Sequence, residues 1–131
     1  MKSNIKISHF ALYTCDLERM RDFFSHYFGA TANEMYHNPH TGLKSYFLSF
    51  GGSVKLEIMT RPELSNRKET TLQTGYTHLA LSVGSKMEVD RLTANLAADG
   101  YKVVSGPRTT GDGFYESCIL GPENHLIEIT E

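Results

Sequence analysis

Two histidines and two glutamates occupy matching places in the two halves of this chain. His9 lies in the stretch Ile-Ser-His-Phe-Ala-Leu-Tyr-Thr (7–14) and His78 in Tyr-Thr-His-Leu-Ala-Leu-Ser-Val (76–83), at a constant offset of 69 residues. Glu57 lies in Val-Lys-Leu-Glu-Ile (54–58) and Glu128 in His-Leu-Ile-Glu-Ile (125–129), 48 and 50 residues after their histidines. Two imidazoles and two carboxylates suit one divalent first-row metal ion with positions left for water or substrate. Imidazole suits nickel, zinc, cobalt or iron, and carboxylate oxygen suits harder ions such as manganese, so the set does not select one metal. Taken singly, a strand histidine is ordinarily a hydrogen-bonded side chain and a strand glutamate a solvated one. Recurrence on the same element with the same parity sets these four apart.

The elements that must position them read as one pattern written twice. Residues 7–14 alternate, with Phe10, Leu12 and Thr14 on one face and Ile7, His9, Ala11 and Tyr13 on the other. Asp16 as N-cap, an apolar stripe from Leu17 through Phe28 and Gly29 as stop predict a helix. Ser85 and Glu88 form a capping box for a second helix that carries Val89, Leu92 and Leu96 and ends at Gly100. Strands are expected near 31–37, 44–50, 53–59, 101–105, 114–120 and 125–130. At the same offset Tyr46 aligns with Tyr115, and a two-residue insertion precedes the closing strand. The predicted class is α+β: two paired βαβββ modules, about 5–59 and 75–130, joined by a polar linker at 60–74. Helices lie outside, and a curved sheet encloses a cavity. Packing of each helix takes one sheet face, which leaves His9, Glu57, His78 and Glu128 on the other.

Composition bounds the function. The chain has 131 residues, enough for one domain that needs no disulfide or zinc staple to be stable. Thirteen Lys and Arg against fifteen Asp and Glu give a net charge of −2, which offers no basic footprint for nucleic acid. No apolar run is long enough to span a membrane, and the first ten residues carry no apolar signal core. Cys15 and Cys118 sit in no CxxC pair, so reduced thiols and a cytoplasmic location are expected. Tyr13, Tyr46, Arg61 and Tyr115 are the remaining candidates for contact with a substrate. The glycine-rich segment 106–113 reads as a loop able to close over a ligand.

The ordered pieces Ile-Ser-His-Phe-Ala-Leu with Asp16-Leu17-Glu18, Gly75-Tyr-Thr-His-Leu-Ala-Leu-Ser-Val and Gly121-Pro-Glu-Asn-His-Leu-Ile-Glu-Ile resemble the vicinal oxygen chelate superfamily. That superfamily includes glyoxalase I, bleomycin-resistance proteins and extradiol dioxygenases, and the likeness covers essentially the whole chain. It implies metal ligands at His9, Glu57, His78 and Glu128, one divalent ion (Ni, Zn, Co, Fe or Mn) per site and a small-molecule substrate. It also implies a homodimer in which a metal site takes ligands from both chains. The complete four-ligand set looks most like glyoxalase I, a lactoylglutathione lyase. On that likeness Glu128 is the base that moves a proton alpha to a carbonyl, and Glu57 is a ligand or second base. Two positions depart from the glyoxalase pattern. Tyr13 stands where an Arg is usual and Arg61 where an Asn is usual, and both places serve glutathione recognition. The resemblance leaves two other functions: an extradiol-type iron dioxygenase using His9, His78 and Glu128, and a non-catalytic protein that binds a drug or metabolite.

Overall fold

The computed structural model describes residues 4–67 and 72–131, which form two compact units meeting in the chain at Asn66 and Arg67. Part of the predicted linker, 68–71, lies outside the described residues. Among the described residues no helix is long and apolar enough to cross a membrane.

The first unit contains β1 (His9–Tyr13), α1 (Leu17–Phe28), β2 (Thr31–Ala32), β3 (Tyr36–His37), β4 (Lys44–Ser49) and β5 (Lys55–Thr60). Its sheet runs β1-β5-β4-β2, with β3 also paired to β4, and β1 is parallel to β5. The second unit contains β6 (Leu79–Ser82), α2 (Lys86–Ala98), β7 (Val103–Thr109), β8 (Tyr115–Leu120), a 3-10 turn (Pro122–Asn124) and β9 (Leu126–Thr130). Its sheet runs β6-β9-β8-β7, with β6 parallel to β9. Each unit is therefore a helix on a mixed sheet, as the α+β prediction requires.

Local chemistry sets the helix ends. Asp16 Oδ1 accepts the Arg19 N–H at 3.1 Å, and Gly29 ends α1 in the left-handed conformation at φ 66°. Ser85 Oγ accepts the Glu88 N–H at 3.2 Å, while the Glu88 carboxylate pairs with Arg91 at 2.7 Å. The capping box thus supplies its serine half, and its glutamate serves the helix surface.

Each helix buries its stripe on three strands of its sheet: α1 lies over β5, β4 and β2, and α2 over β8, β7 and β9. Met20, Phe24, Leu48 and Ile58 close the first core; Val89, Leu96, Ile119 and Ile129 close the second. Each such side chain contributes about 1.5–3 kcal/mol by leaving water. The edge strands at the opposite end of each sheet, β1 and β6, escape this cover. Phe10, expected in the core by parity, is 43% exposed because the edge strand β1 lies beyond the helix.

Tyr46 and Tyr115 both point toward the helices. Tyr46, opposite Ile58, is buried; its hydroxyl donates to Glu18 Oε1 at 2.6 Å and accepts from Arg21 Nη1 at 3.2 Å. The Tyr115 hydroxyl donates to Asp90 on α2, and Lys86 Nζ stands 5.6 Å from its ring centre. These carboxylates hold both phenols above their ordinary titration range. Strand parity sends both tyrosines to the helix side of their sheets, away from the face that carries the histidines. Their expected equivalence is corrected by register. Phe47 stands opposite Glu57 and Cys118 opposite Glu128, so the two-residue insertion precedes β8, and Tyr46 corresponds to Ser117. A shift of two preserves parity, which is why both tyrosines still reach a helix.

Two further expectations change. The strand at 31–37 is split into β2 and β3, with Asn33 between them; its backbone N–H and side-chain oxygen bond Phe47 at 3.1 and 2.8 Å. Residues 106–109, read as loop, belong to β7, an edge strand where a proline costs no ladder bond. Register shifts at Ser105 bend this strand. There Gly106, at φ 76°, lies where any Cβ would strike the carbonyl oxygen of Glu116.

Tyr46→Phe should cost about 1–2 kcal/mol at neutral pH, read as a lowered urea midpoint. Because the Tyr46 pKa is raised on folding, its contribution is present below pH ~10 and is lost as pH rises through the higher folded value. The stability gap between wild type and Tyr46→Phe should therefore narrow in strong alkali. Gly106→Ala should cost more than about 2 kcal/mol, since a side chain at positive φ adds about 1–2 kcal/mol to the steric displacement of β8. A variant within about 0.5 kcal/mol of wild type would show that the bend relaxes freely.

Candidate functional site

The pleat delivers the same arrangement in each unit. In β1 and β5 Ala11 is the partner of Glu57, and His9 lies two residues earlier on the same face. In β6 and β9 Ala80 is the partner of Glu128, and His78 again lies two residues earlier. A small alanine opposite each glutamate leaves room for the imidazole to reach across the diagonal. His9 Nε2 is 3.7 Å from Glu57 Oε1, and His78 Nε2 is 3.0 Å from Glu128 Oε2. The imidazoles are 40% and 39% exposed, and the glutamates 19% and 22%, so each pair opens onto solvent from a partly sheltered carboxylate.

The other ring nitrogen is tethered in the same way in both copies. Ser8 Oγ lies 3.0 Å from His9 Nδ1, and Thr77 Oγ1 lies 2.9 Å from His78 Nδ1. A hydroxyl on Nδ1 fixes the ring plane and aims Nε2 at the carboxylate. Sequence reasoning missed this pair, although a hydroxyl residue precedes each histidine at the offset of 69.

Around these pairs the two faces diverge. In the first unit Phe47, opposite Glu57, meets the His9 ring edge-on with centroids 5.2 Å apart. Met59 and Tyr13 pair in the next row. In the second unit Cys118 stands opposite Glu128, and the next row reads Ser82, Thr130, Glu116 and Arg108 across the sheet. The Glu116 carboxyl is pushed up to about 7, first by its hydrogen bond to Glu128, then by burial and by the Glu128 charge. Burial, followed by the charges of Glu128 and Glu116, pushes the Cys118 thiol up as well, so this cysteine is a poor nucleophile. Glu116 carried no signal in the repeat, because its counterpart by register is Ser45.

The remaining candidates fall apart from the histidines. Tyr13 shares the His9 face and is 46% exposed. Arg61 follows β5 and pairs through Nε with Glu63 Oε1 at 2.6 Å. It borders a shallow hollow of about 370 Å³ with Cys15, Lys44 and Thr60. Tyr46 and Tyr115 belong to the helix side, as described above. Both cysteines are free thiols. Among the described residues no three of His, Cys, Asp and Glu gather where one ion could take them all. Within each unit the donors form one histidine–glutamate pair.

Comparison with known proteins accords with this architecture. Residues 6–129 match the family model for the Glyoxalase/Bleomycin resistance protein/Dioxygenase superfamily. The chain is 29% identical to the uncharacterized protein YqjT of Bacillus subtilis (strain 168), over 92% of this chain and 94% of that one. Its fold is similar to that of a trypanothione-dependent glyoxalase I of Leishmania major, with a TM-score of 0.79 at 20% identity, covering 98% of this chain and 87% of that one. It is also similar to the fosfomycin resistance protein FosX of Listeria monocytogenes, solved with Mn(II) and sulfate, with a TM-score of 0.68 at 21% identity over 99% and 93% of the two chains. Repeated helix-on-sheet units, a histidine and a glutamate on the open face of each, and a family match across nearly the full length lead to one assignment: the chain belongs to the glyoxalase/bleomycin resistance protein/dioxygenase superfamily.

Proposed function

We propose that this protein is a metal-dependent lyase or isomerase of the glyoxalase I-like type, acting on a small substrate with adjacent oxygens. The observation that carries the reading is the duplicated Nε2–carboxylate pair, each with a hydroxyl on the far ring nitrogen. That donor chemistry fits a divalent first-row ion: a ring held by a hydroxyl at Nδ1 has Nε2 free to ligate, and the carboxylates supply oxygen. Each histidine–glutamate pair would supply ligands to such an ion, His9 with Glu57 and His78 with Glu128. The Mn(II) in the FosX structure supports a divalent ion in this fold. Superfamily members commonly act as dimers on small molecules, and a homodimer is part of this proposal.

Such an ion would polarise the two substrate oxygens and stabilise the negative charge that develops as the alpha proton leaves. The chain's own residues do the rest. Glu128 takes the proton, since His78 Nε2 at 3.0 Å from Oε2 and Glu116 beside it fix the direction of its carboxylate. Glu57, more loosely held at 3.7 Å, is the ligand or second base. Phe47 holds the His9 ring edge-on from the next strand. Tyr13 offers a phenol on the same open face, and Arg61 a guanidinium near its end, for the rest of the substrate. Tyr46 and Tyr115 take no part.

Purified protein supplied with nickel, zinc, cobalt, iron or manganese should retain one divalent ion per site by elemental analysis. His78→Ala should lose it, and Thr77→Val should bind it about tenfold more weakly while keeping the fold. Stoichiometric metal in His78→Ala would remove the ligand assignment. Glu128→Gln should lower turnover of a hemithioacetal or related hydroxy-carbonyl substrate by at least about a hundredfold with little change in unfolding midpoint. An unchanged rate would remove Glu128 as the base.

A further inference from the structure

The geometry points to Arg108 as a specificity-determining residue that receives an oxyanion, a carboxylate or a phosphonate-like group, carried by the substrate on an arm extending from its two chelating oxygens. This inference rests on the metal-dependent reading above and names the class of its substrate.

Backbone geometry delivers Arg108 to the open face. Ser105 is the partner of Cys118 and Arg108 the partner of Glu116, with a register shift on either side of Ser105. A ladder continuing unshifted from Ser105 would set Pro107 opposite Glu116 and Arg108 opposite Tyr115, whose side chain reaches α2. The extra residue, with Gly106 at φ 76°, instead brings Arg108 to the side that carries Glu128. Bulges beside functional sites re-aim side chains in this way.

The cation placed there is not engaged elsewhere. Arg21, Arg61 and Arg91 each pair with a carboxylate, at 2.9, 2.6 and 2.7 Å. Among the described residues the Arg108 guanidinium makes no hydrogen bond or ion pair, although its direct partner is a glutamate. Nor does the framework require an arginine at this point. Glu116 corresponds to Ser45, and Ser45 pairs with Tyr36, so the first unit carries a neutral phenol in the equivalent place. The way from Glu128 to Arg108 is also open. Cys118 is the small partner of Glu128, whereas Phe47 fills the corresponding place beside Glu57. Arg108 lies two strands across and one row along from Glu128, about 12 Å between α-carbons at ordinary strand spacings. With both side chains reaching inward, a short arm passing over Cys118 spans what is left. The planar fork of an arginine takes two oxygens of one oxyanion at once, a contact that an alkyl or cationic group cannot make.

The test uses the full chain loaded with Co(II) and four hydroxamic acids as two-oxygen chelators. Their arms are equal in length and end in methyl, carboxylate, phosphonate or ammonium. Dissociation constants come from the cobalt d–d absorption, and cobalt content from elemental analysis. Wild type should bind a carboxylate- or phosphonate-tipped probe about tenfold or more tightly than the methyl-tipped one. The tighter of the two identifies the anion, and the preference should shrink as salt is added. Arg108→Gln should erase it while the methyl-tipped probe and the cobalt content stay unchanged. Arg108→Lys, a charge without the fork, should keep a preference reduced several-fold. Arg19→Gln, the same charge change on exposed α1, should leave it intact. Equal ranking of the probes by wild type and Arg108→Gln, with cobalt bound in both, overturns the inference and leaves the metal reading standing. If Arg108→Gln does not fold, no anion preference in wild type, or one equally lost in Arg19→Gln, overturns it as well. Failure of wild type to take up cobalt or any other divalent ion overturns the metal reading, and this inference with it.

Discussion

A pleated strand shows alternate side chains to opposite sides, and a sheet with a helix packed on one side has only the other to offer a ligand. Everything chemical in this chain follows from that restriction applied twice. The parallel pairing of β1 with β5 and of β6 with β9 puts an alanine opposite each glutamate and the histidine two residues away on the same side. A slip of one residue in either pairing would send the glutamate into the core and an isoleucine to water. The buried isoleucines Ile58 and Ile129, each next in sequence to a ligand candidate, therefore fix the direction of the carboxylates as well as the packing.

The duplication is faithful where the framework needs it and loose where a ligand would be read. Both copies keep the hydroxyl before the histidine, the spacer alanine, the core isoleucine and the glycine after the helix. They part company in the rows beside the glutamates. One presents Phe47 edge-on to an imidazole, and the other presents Cys118, Glu116 and Thr130. The histidine–carboxylate distances differ too, 3.7 Å against 3.0 Å. Two carboxylates in equivalent places thus have unlike surroundings, and such separation is how a single scaffold divides labour between similar acids.

Much of this was legible in the primary structure, for definite reasons. His9, Glu57, His78 and Glu128 could be named because the repeat doubled a signal that is weak in one copy, and parity then placed them on one side. The helix ends at Asp16, Gly29 and Ser85 were readable because capping is local. The failures were all non-local. Tyr46 and Tyr115 looked equivalent because the insertion was placed after β8 instead of before it, and only pairing with β9 fixes that. Phe10 looked buried because a pattern cannot tell an edge strand from an inner one. Gly106 and Pro107 looked like loop because nothing in the sequence says that β7 is the last strand of its sheet. Glu116 escaped notice because Ser45 gave it no echo.

The hydroxyls of Ser8 and Thr77 have a consequence of their own. A backbone carbonyl or a carboxylate against Nδ1 would freeze an imidazole in one tautomer, whereas a hydroxyl rotates and serves as donor or acceptor. Each ring can therefore carry its proton on Nε2, bonded to glutamate, or on Nδ1, with Nε2 bare; a proton lost from one nitrogen and gained at the other interconverts the two forms, and the hydroxyl turns its O–H bond to suit either. Both imidazoles can thereby keep one orientation whichever ring nitrogen carries the proton.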